Sequence, residues 1–472
     1  MRITVVILAA GLGTRMKSRQ AKVLHRAGGK PLVEHVISTA LEITAPERIL
    51  VVVGHQASEV REAVLQSVPA CGVGFIEQAE QKGTGHALMI GRNSLAPLGG
   101  LLLILYGDCP LLRAATLRQL VAVAAESDGA GALISAHMDD PTGYGRIIRD
   151  TSGRVEAVVE QKAGTQAQLA IREANMGIYC YRADLFWKHV DEIQPDNPAR
   201  EYYLTDMVGI LHRAGHRVAA MVIDDPREAL GINTRIELAE VDAIFRDRKR
   251  RELMLCGVTI EDPQSVIIDA GVRIGMDTLI EANARILGHT VIGENCRVGA
   301  GAIIHDCTLG DGARIEPYTV MTTSKLARGV QVGPFARLRP GAEVEEGAHI
   351  GNFVELKKTR LGPGSKAQHL AYLGDSRIGA GVNIGAGTIT CNYDGHLKHP
   401  TTIGDGAFVG SNSTLVAPLE IGAGSYIAAG SVITDPVPAD ALSLGRARQT
   451  NKEDWARKRR ALLKNPGKNQ AV

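Results

Sequence analysis

Residues 266–304 read VIIDAGVRIGMDTLIEANARILGHTVIGENCRVGAGAII, and every sixth position is a branched apolar residue: Ile268, Ile274, Ile280, Ile286, Ile292, Val298, Ile304. The phase slips by one residue at Leu309. It returns in Val332, Leu338, Val344, Ile350 and Leu356, again in Ile378 and Ile384, and last in Ile403, Val409, Leu415, Ile421, Ile427 and Ile433. Glycine often follows, as in Ile274-Gly275, Ile350-Gly351 and Val409-Gly410. An amphipathic helix needs apolar positions three and four apart, and a sandwich strand needs strict alternation. A beat of six fits neither. It fits a chain coiled through three short strands per turn, each edge giving one inward side chain to a narrow prism, with successive coils stacked parallel. One coil cannot bury its own face, so many must stack. The fold expected for this half is a parallel β-helix of hexapeptide repeats.

Two interruptions of the beat, residues 362–377 and 386–402, read as loops on the stack, where solenoids carry function. The first holds Lys366, His369 and Tyr372, the second Asn392 and Tyr393. Leu338 and Leu356 lie one coil apart on one edge, so Arg339 and Lys357 are expected to stack as two cations suited to a sugar phosphate.

The first half reads differently. Residues 3–8 form a continuous apolar run, as in a strand buried on both faces. Ala9-Ala10-Gly11-Leu12-Gly13-Thr14-Arg15-Met16 follows, with Lys22 just beyond. Small residues there let backbone N–H groups approach an anion. The turn is not a P-loop, since GKS/T is absent, and it lacks the third glycine of the dinucleotide fingerprint. Further strands at Ile49–Val53 and at 101–105, with helical patterns between, predict an α/β doubly wound, Rossmann-like sheet. Tyr106-Gly107-Asp108 closes the last of these at the mouth of the sheet, which makes Asp108 a candidate Mg²⁺ ligand. Gly-rich loops recur at 78–87 and 140–146, followed by Glu160, Asn175-Met176-Gly177 and Gly231-Ile232-Asn233.

Bulk properties narrow the class. A formal net charge of +2 over 472 residues argues against a nucleic-acid partner held by bulk electrostatics. Seven scattered cysteines without a CxxC pair read as free thiols of a reducing compartment. No apolar run approaches the ~20 residues that span a bilayer. Residues 3–10 read as a buried strand rather than a signal peptide, and a cytoplasmic location is expected. Residues 235–256 have helical spacing in Leu238, Val241, Phe245 and Leu253, among five Arg and Lys at 246 and 248–251, and read as a linker helix with a solvated basic face. The tail after Thr450, with Lys458-Arg459-Arg460 and Pro466-Gly467, is expected to fray. The division expected is 1–234, a linker at 235–256, a β-helix at 257–446 and a tail at 447–472.

The motifs LAAGxGTRM, xKVLH, QxGTGHA, YGD, DPTGYGRI and GIN resemble those of the sugar-nucleotide pyrophosphorylases. The best match among them is the family of bifunctional N-acetylglucosamine-1-phosphate uridyltransferases and glucosamine-1-phosphate N-acetyltransferases. The likeness covers nearly the whole chain, with Ala21 standing where the family has proline. It implies a left-handed coil and a homotrimer with acetyl sites between subunits. It implies that UTP and N-acetylglucosamine 1-phosphate meet in the first half. Leu8, Ala9, Ala10 and Gly11 would offer backbone to the nucleotide, Arg15 and Lys22 would act on the phosphates, and Gln78, Gly83 and Thr84 would hold uracil. Tyr106, Gly107 and Asp108 would line the site, Gly145, Glu160 and Asn175 would hold the sugar, and Asp108 and Asn233 would hold Mg²⁺. In the second half His369 would be the general base for transfer from acetyl-CoA to glucosamine 1-phosphate. Arg339, Lys357, Tyr372 and Asn383 would bind the sugar phosphate. Ala386, Asn392, Tyr393, Ser411, Ala429 and Arg446 would line the acetyl-CoA site.

Overall fold

A mixed nine-stranded sheet organises the N-terminal half of the computed structural model, which describes residues 2–67, 72–126 and 129–464. Its main path runs Val218–Val222, Gly131–His137, Glu173–Arg182, Leu101–Tyr106, Ile3–Leu8, Ile49–Val53, Gly74–Glu77. All are parallel to their neighbours except Glu173–Arg182, which is antiparallel on both sides. The hairpin Gly145–Arg149 and Val155–Val159 pairs onto its start. Ile3–Leu8 is buried from Thr4 onward because helices cover both faces, which is why the strand reads as an apolar run. Leu8 is in register with both Val52 and Tyr106. The chain winds away on opposite sides of this strand, so a crevice opens beyond its C-terminal end.

The helix expected at 235–256 is present as Arg235–Leu255, and it belongs up to Arg251 to the N-terminal half. It is not merely a solvated basic rod. Val241 is fully buried with Met16, Ala27, Leu32, Leu111 and Ile232, and the Phe245 ring stacks on His35 at 4.0 Å. Its basic residues are largely paired within the helix, as in Arg246 with Asp242 and Arg251 with Asp247.

The C-terminal half is built from three sheets of 11, 10 and 9 short parallel strands, the architecture of a left-handed β-helix of hexapeptide repeats. Each strand turns one side chain inward. Ile280, Val298, Ile315, Val332 and Ile350 stack in the first sheet, and Ile286, Ile304, Met321, Leu338 and Leu356 in the second. All are essentially inaccessible to solvent. At such a site Leu356→Ala would cost roughly 2–5 kcal/mol.

The first expected interruption is none, and the second is shorter than the beat implied. Residues 362–377 form a regular coil through Lys366–His369, Tyr372–Gly374 and Ser376–Ile378. Ala367 and Leu373 fill the inward positions, and an alanine is too small to mark the beat. In the second stretch Ile389–Cys391 is again a strand, with Thr390 facing inward. Its hydroxyl accepts a hydrogen bond from Gly374 N at 2.8 Å, which lets a polar residue occupy the prism. The true insertion starts only at Asn392 and returns by Thr401. The tail also departs from expectation: Trp455–Lys464 is a ten-residue helix with every side chain exposed, favoured by its Ala, Leu, Lys and Arg content. The expected Pro466-Gly467 turn lies outside the described residues.

Candidate active sites

One cavity of about 890 Å³ occupies the crevice at the C-terminal end of the wound sheet. Every nucleotide-site position singled out in the sequence lines it except Gly107. Gly107 instead ties the Tyr106–Asp108 turn to the central strand, its N–H donating to Leu8 O at 2.9 Å. The Lys22 ammonium is ion-paired with Asp108 Oδ2 and donates to Asn233 Oδ1 at 3.1 Å. Asn233 is placed by the start of the long helix, where Glu237 accepts from the backbone N–H of Asn233 and Thr234 at 2.6 and 2.7 Å.

The positions expected to hold uracil are tightly built. Gln78 is buried, and its Nε2 donates to Gly83 O at 3.1 Å. Gly83 has φ +105°, and a Cβ there would lie 2.6 Å from Tyr202 O, so only glycine fits. Thr84 Oγ1 accepts from Leu204 N at 3.1 Å. Among the positions expected to hold the sugar, Asn175 donates to the Tyr179 hydroxyl at 2.7 Å and accepts from Gly177 N at 3.3 Å. Burial pushes the Glu160 carboxyl above the usual range, with the nearby Asp206 charge adding to it. Gln81 and Tyr144, from the two Gly-rich loops already singled out, also line the cavity, as do Gln161, Lys162, Tyr203 and Thr205, which sequence reading missed. Gln161 and Lys162 were within reach, since they directly follow Glu160. Tyr203 and Thr205 lie in an irregular segment held by Gly85 N to Tyr202 O at 2.8 Å, and no glycine or motif marks it.

The donor set can be tested for a metal. Among the described residues no three His, Cys, Asp or Glu side chains converge. Asp108 and Asn233 nonetheless turn their oxygens onto one cation, the Lys22 ammonium. Two hard oxygen donors with no full protein cage suit a divalent ion held mostly by substrate phosphate and water.

The second set of residues lies on the prism. Asn352 is in register with His369, and Ala367 with Ile384 one coil on. The same register carries through Val409 and Ile427. His369, Ala386, Ser411 and Ala429 therefore form one column along the corner that follows the first sheet. His369 is exposed, and its Nδ1 lies 2.9 Å from Asn352 Oδ1; an amide oxygen can only accept, so in this contact Nδ1 carries the proton and the neutral ring keeps its lone pair on Nε2. Asn352 was not anticipated, because only the fold puts it beside His369. Arg446 reaches the same corner from above, its Cδ 3.8 Å from where a Cβ on Gly430 would sit.

The expected cation stack is present on the second sheet. Arg337 and Leu338 are in register with Glu355 and Leu356, which aligns Arg339 with Lys357. Lys357 is in turn aligned with Gly374. A Cβ on Gly374 would meet the Tyr372 hydroxyl at 2.5 Å and Asn392 Nδ2 at 2.7 Å, so glycine keeps this surface open. Arg339 pairs with Glu355 at 3.0 Å. Lys398 of the insertion, which sequence reading passed over, crowds Lys357 and, with Arg339, lowers its pKa. Asn392 is buried and bonds to Asp375, whereas Tyr393 is exposed at the base of the insertion. Asn383 does not join this group: it stands on the first sheet, in register with Lys366.

A cavity at the mouth of a wound sheet, with a histidine column and a cation stack on a hexapeptide prism, describes a two-centre transferase. Comparison with known proteins agrees. Residues 5–175 match the MobA-like NTP transferase domain. Residues 271–305, 289–323 and 400–435 match the bacterial transferase hexapeptide (six repeats). A protein of Solibacter usitatus (strain Ellin6076) named Bifunctional protein GlmU is 68% identical over 98% of both chains. Proteins of the same name from Anaeromyxobacter sp. (strain Fw109-5) and Koribacter versatilis (strain Ellin345) are 51% and 48% identical. The first spans 100% of this chain and 96% of its own, the second 98% of each. The chain belongs to the bifunctional GlmU family.

Proposed function

We propose that the two centres run the last two steps of UDP-N-acetylglucosamine synthesis, with the prism acting first. The chain is a bifunctional acetyltransferase and uridyltransferase. The carrying observation is that Lys22, Asp108 and Asn233 meet in one cavity, while His369 stands in one column with Ala386, Ser411 and Ala429.

At the prism corner, His369 Nε2 takes a proton as the 2-amino nitrogen of glucosamine 1-phosphate attacks the thioester carbonyl of acetyl-CoA. The C–N bond forms, the C–S bond breaks, and the CoA thiolate leaves. Asn352 holds the tautomer that frees Nε2. Arg339, Lys357 and Lys398 supply positive charge for the sugar phosphate, with Tyr372 as a further sugar contact on the same sheet. Ala386, Asn392, Tyr393, Ser411, Ala429 and Arg446 accommodate acetyl-CoA.

In the wound sheet, a phosphate oxygen of N-acetylglucosamine 1-phosphate attacks the α-phosphorus of UTP, and diphosphate leaves. Catalysis is then positioning and charge neutralisation. Asp108 and Asn233 would hold Mg²⁺, which would supply charge neutralisation at the triphosphate when bound. Lys22 would turn to a phosphate, and Arg15 would stabilise the leaving diphosphate. Gln78, Gly83 and Thr84 read uracil, while Gly145, Glu160 and Asn175 orient the sugar.

A homotrimer is supported by a feature beside His369. Tyr318, Phe335 and Phe353 stack at successive corners with ring centroids 5.4 Å apart, and Leu370 follows at the next. All four are about half exposed. Such an apolar ladder is suited to burial against another copy. The six cysteines among the described residues are free, which favours a reducing compartment, and we place the enzyme in the cytoplasm. Among the described residues no helix is long and apolar enough to cross a membrane.

Diphosphate release from UTP and CoA release from acetyl-CoA, measured separately on Asp108→Ala and His369→Ala, test the assignment. Each substitution is expected to remove one activity and spare the other. Loss of both in a folded variant would contradict two centres.

A further inference from the structure

The third sheet of the prism carries a cleft of about 360 Å³ lined by Gly341, Glu343, Lys358, Arg360, Ser376 and Arg377. Glu343, Arg360 and Arg377 occupy outward positions of three successive strands, in direct register. Neighbouring strands lie ~4.8 Å apart, so the two arginines bring two positive charges close together, and only Arg360 has a carboxylate beside it. The carboxylates nearby are engaged. Glu345 pairs with Arg360, accepting from Nε at 2.7 Å, and Glu343 faces Lys325 at 3.6 Å on the preceding strand. Arg377 has no ion pair or side-chain hydrogen bond among the described residues, and the strand beyond opposes it with neutral Thr402.

Lys358 is the third cation at the cleft. It sits at φ +46°, a left-handed conformation that disfavours residues with a Cβ. The matching corners of adjoining coils hold short residues, Thr323, Gly341 and Asp375. Lys358 thus adds a long cationic side chain, at a corner its neighbours fill with short ones, to a cleft that already holds an arginine without a counter-ion. Arg339, Lys357 and Lys398 belong to the second sheet and do not line this cleft.

We infer that the cleft on the third sheet is an anion site for a phosphoryl dianion, gripped by Arg377 and Lys358 with Arg360 alongside. The ligand is inorganic phosphate or the phosphate of a small monoester. The guanidinium fork matches phosphate oxygens, and the ammonium adds charge from the corner.

The test is equilibrium dialysis of labelled inorganic phosphate on the full chain. The protein is saturated with UDP-N-acetylglucosamine and with glucosamine 1-phosphate plus CoA, so that both active sites are filled. One phosphate per chain is expected to remain bound. Arg377→Ser and Lys358→Asn should each weaken it by about tenfold, the loss of one charge-assisted contact. Both enzymatic activities of Arg377→Ser should stay within about twofold of the parent, as expected for an exposed side chain outside the residues assigned to either centre. Competition by ribose 5-phosphate at lower concentration than unlabelled phosphate would identify a monoester as the ligand, and the reverse order would identify free phosphate. Absence of the extra phosphate, or unchanged affinity in both Arg377→Ser and Arg377→Glu, would overturn the site.

Discussion

The two halves of this chain collect their functional residues in opposite ways. In the wound sheet Leu8, Lys22, Asp108 and Asn233 are scattered along the sequence and meet only because three strands end together at a topological switch. In the prism His369, Ala386, Ser411 and Ala429 are one coil apart and meet because each coil returns the chain to the same edge. A solenoid converts distance along the chain into position in space, so counting residues places a side chain. A doubly wound sheet offers no such rule, and its crevice is a property of strand order.

The contrast is broken most severely if one substitution disables both halves. Asp108→Ala is expected to lower uridylyl transfer by ~10³-fold, the scale of losing a main electrostatic group, while acetyl transfer is unchanged in a CoA-release assay. His369→Ala should do the reverse, lowering acetylation by ~10²–10⁴-fold and leaving uridylyl transfer from ready-made N-acetylglucosamine 1-phosphate intact.

An intermediate effect separates a site within one chain from one shared by copies. Phe353→Asp puts a charge into the aromatic ladder. It should shift the mass seen by light scattering from three chains toward one and reduce acetylation with it, while uridylyl transfer persists. A trimer that survives the substitution would remove the ladder from the interface. Lys398→Ala should act more locally, raising KM for glucosamine 1-phosphate by ~10-fold through one lost charge-assisted contact, with KM for acetyl-CoA unaltered.

The smallest expected effect belongs to the wound half alone. Burial holds the His35 imidazole below its usual 6.5 where it stacks on Phe245. Below about that pH the unfolded chain takes up a proton that the folded one resists, so stability should decline as pH falls from 7 toward 5. His35→Gln should flatten that decline in the first thermal transition without moving the transition of the prism.

Several features could be read from the chain itself. The strand at Ile3–Leu8 is marked by its apolar run, and the linker helix at Arg235–Leu255 by its spacing. The stacking of Arg339 over Lys357 follows from counting one coil. The same counting misled where the inward residue was small or polar. Ala367 and Thr390 hide regular coils at 362–377 and 389–391, because burial in a prism depends on backbone position and not on side-chain size. Lys398 lay inside the interruption at 386–402 but was not distinguished within it, and Tyr203 and Thr205 left no local signal, since nothing in their neighbourhood differs from an ordinary loop.

By itself the sequence determined that one half is a stacked coil and the other a wound sheet, because periodicity and apolar runs are local consequences of which faces must be buried. Tertiary structure alone decided that Lys22 lies between Asp108 and Asn233, that Asn352 orients His369, and that Lys398 crowds Lys357. Those contacts join residues whose proximity depends on strand order and corner register, which no local pattern encodes.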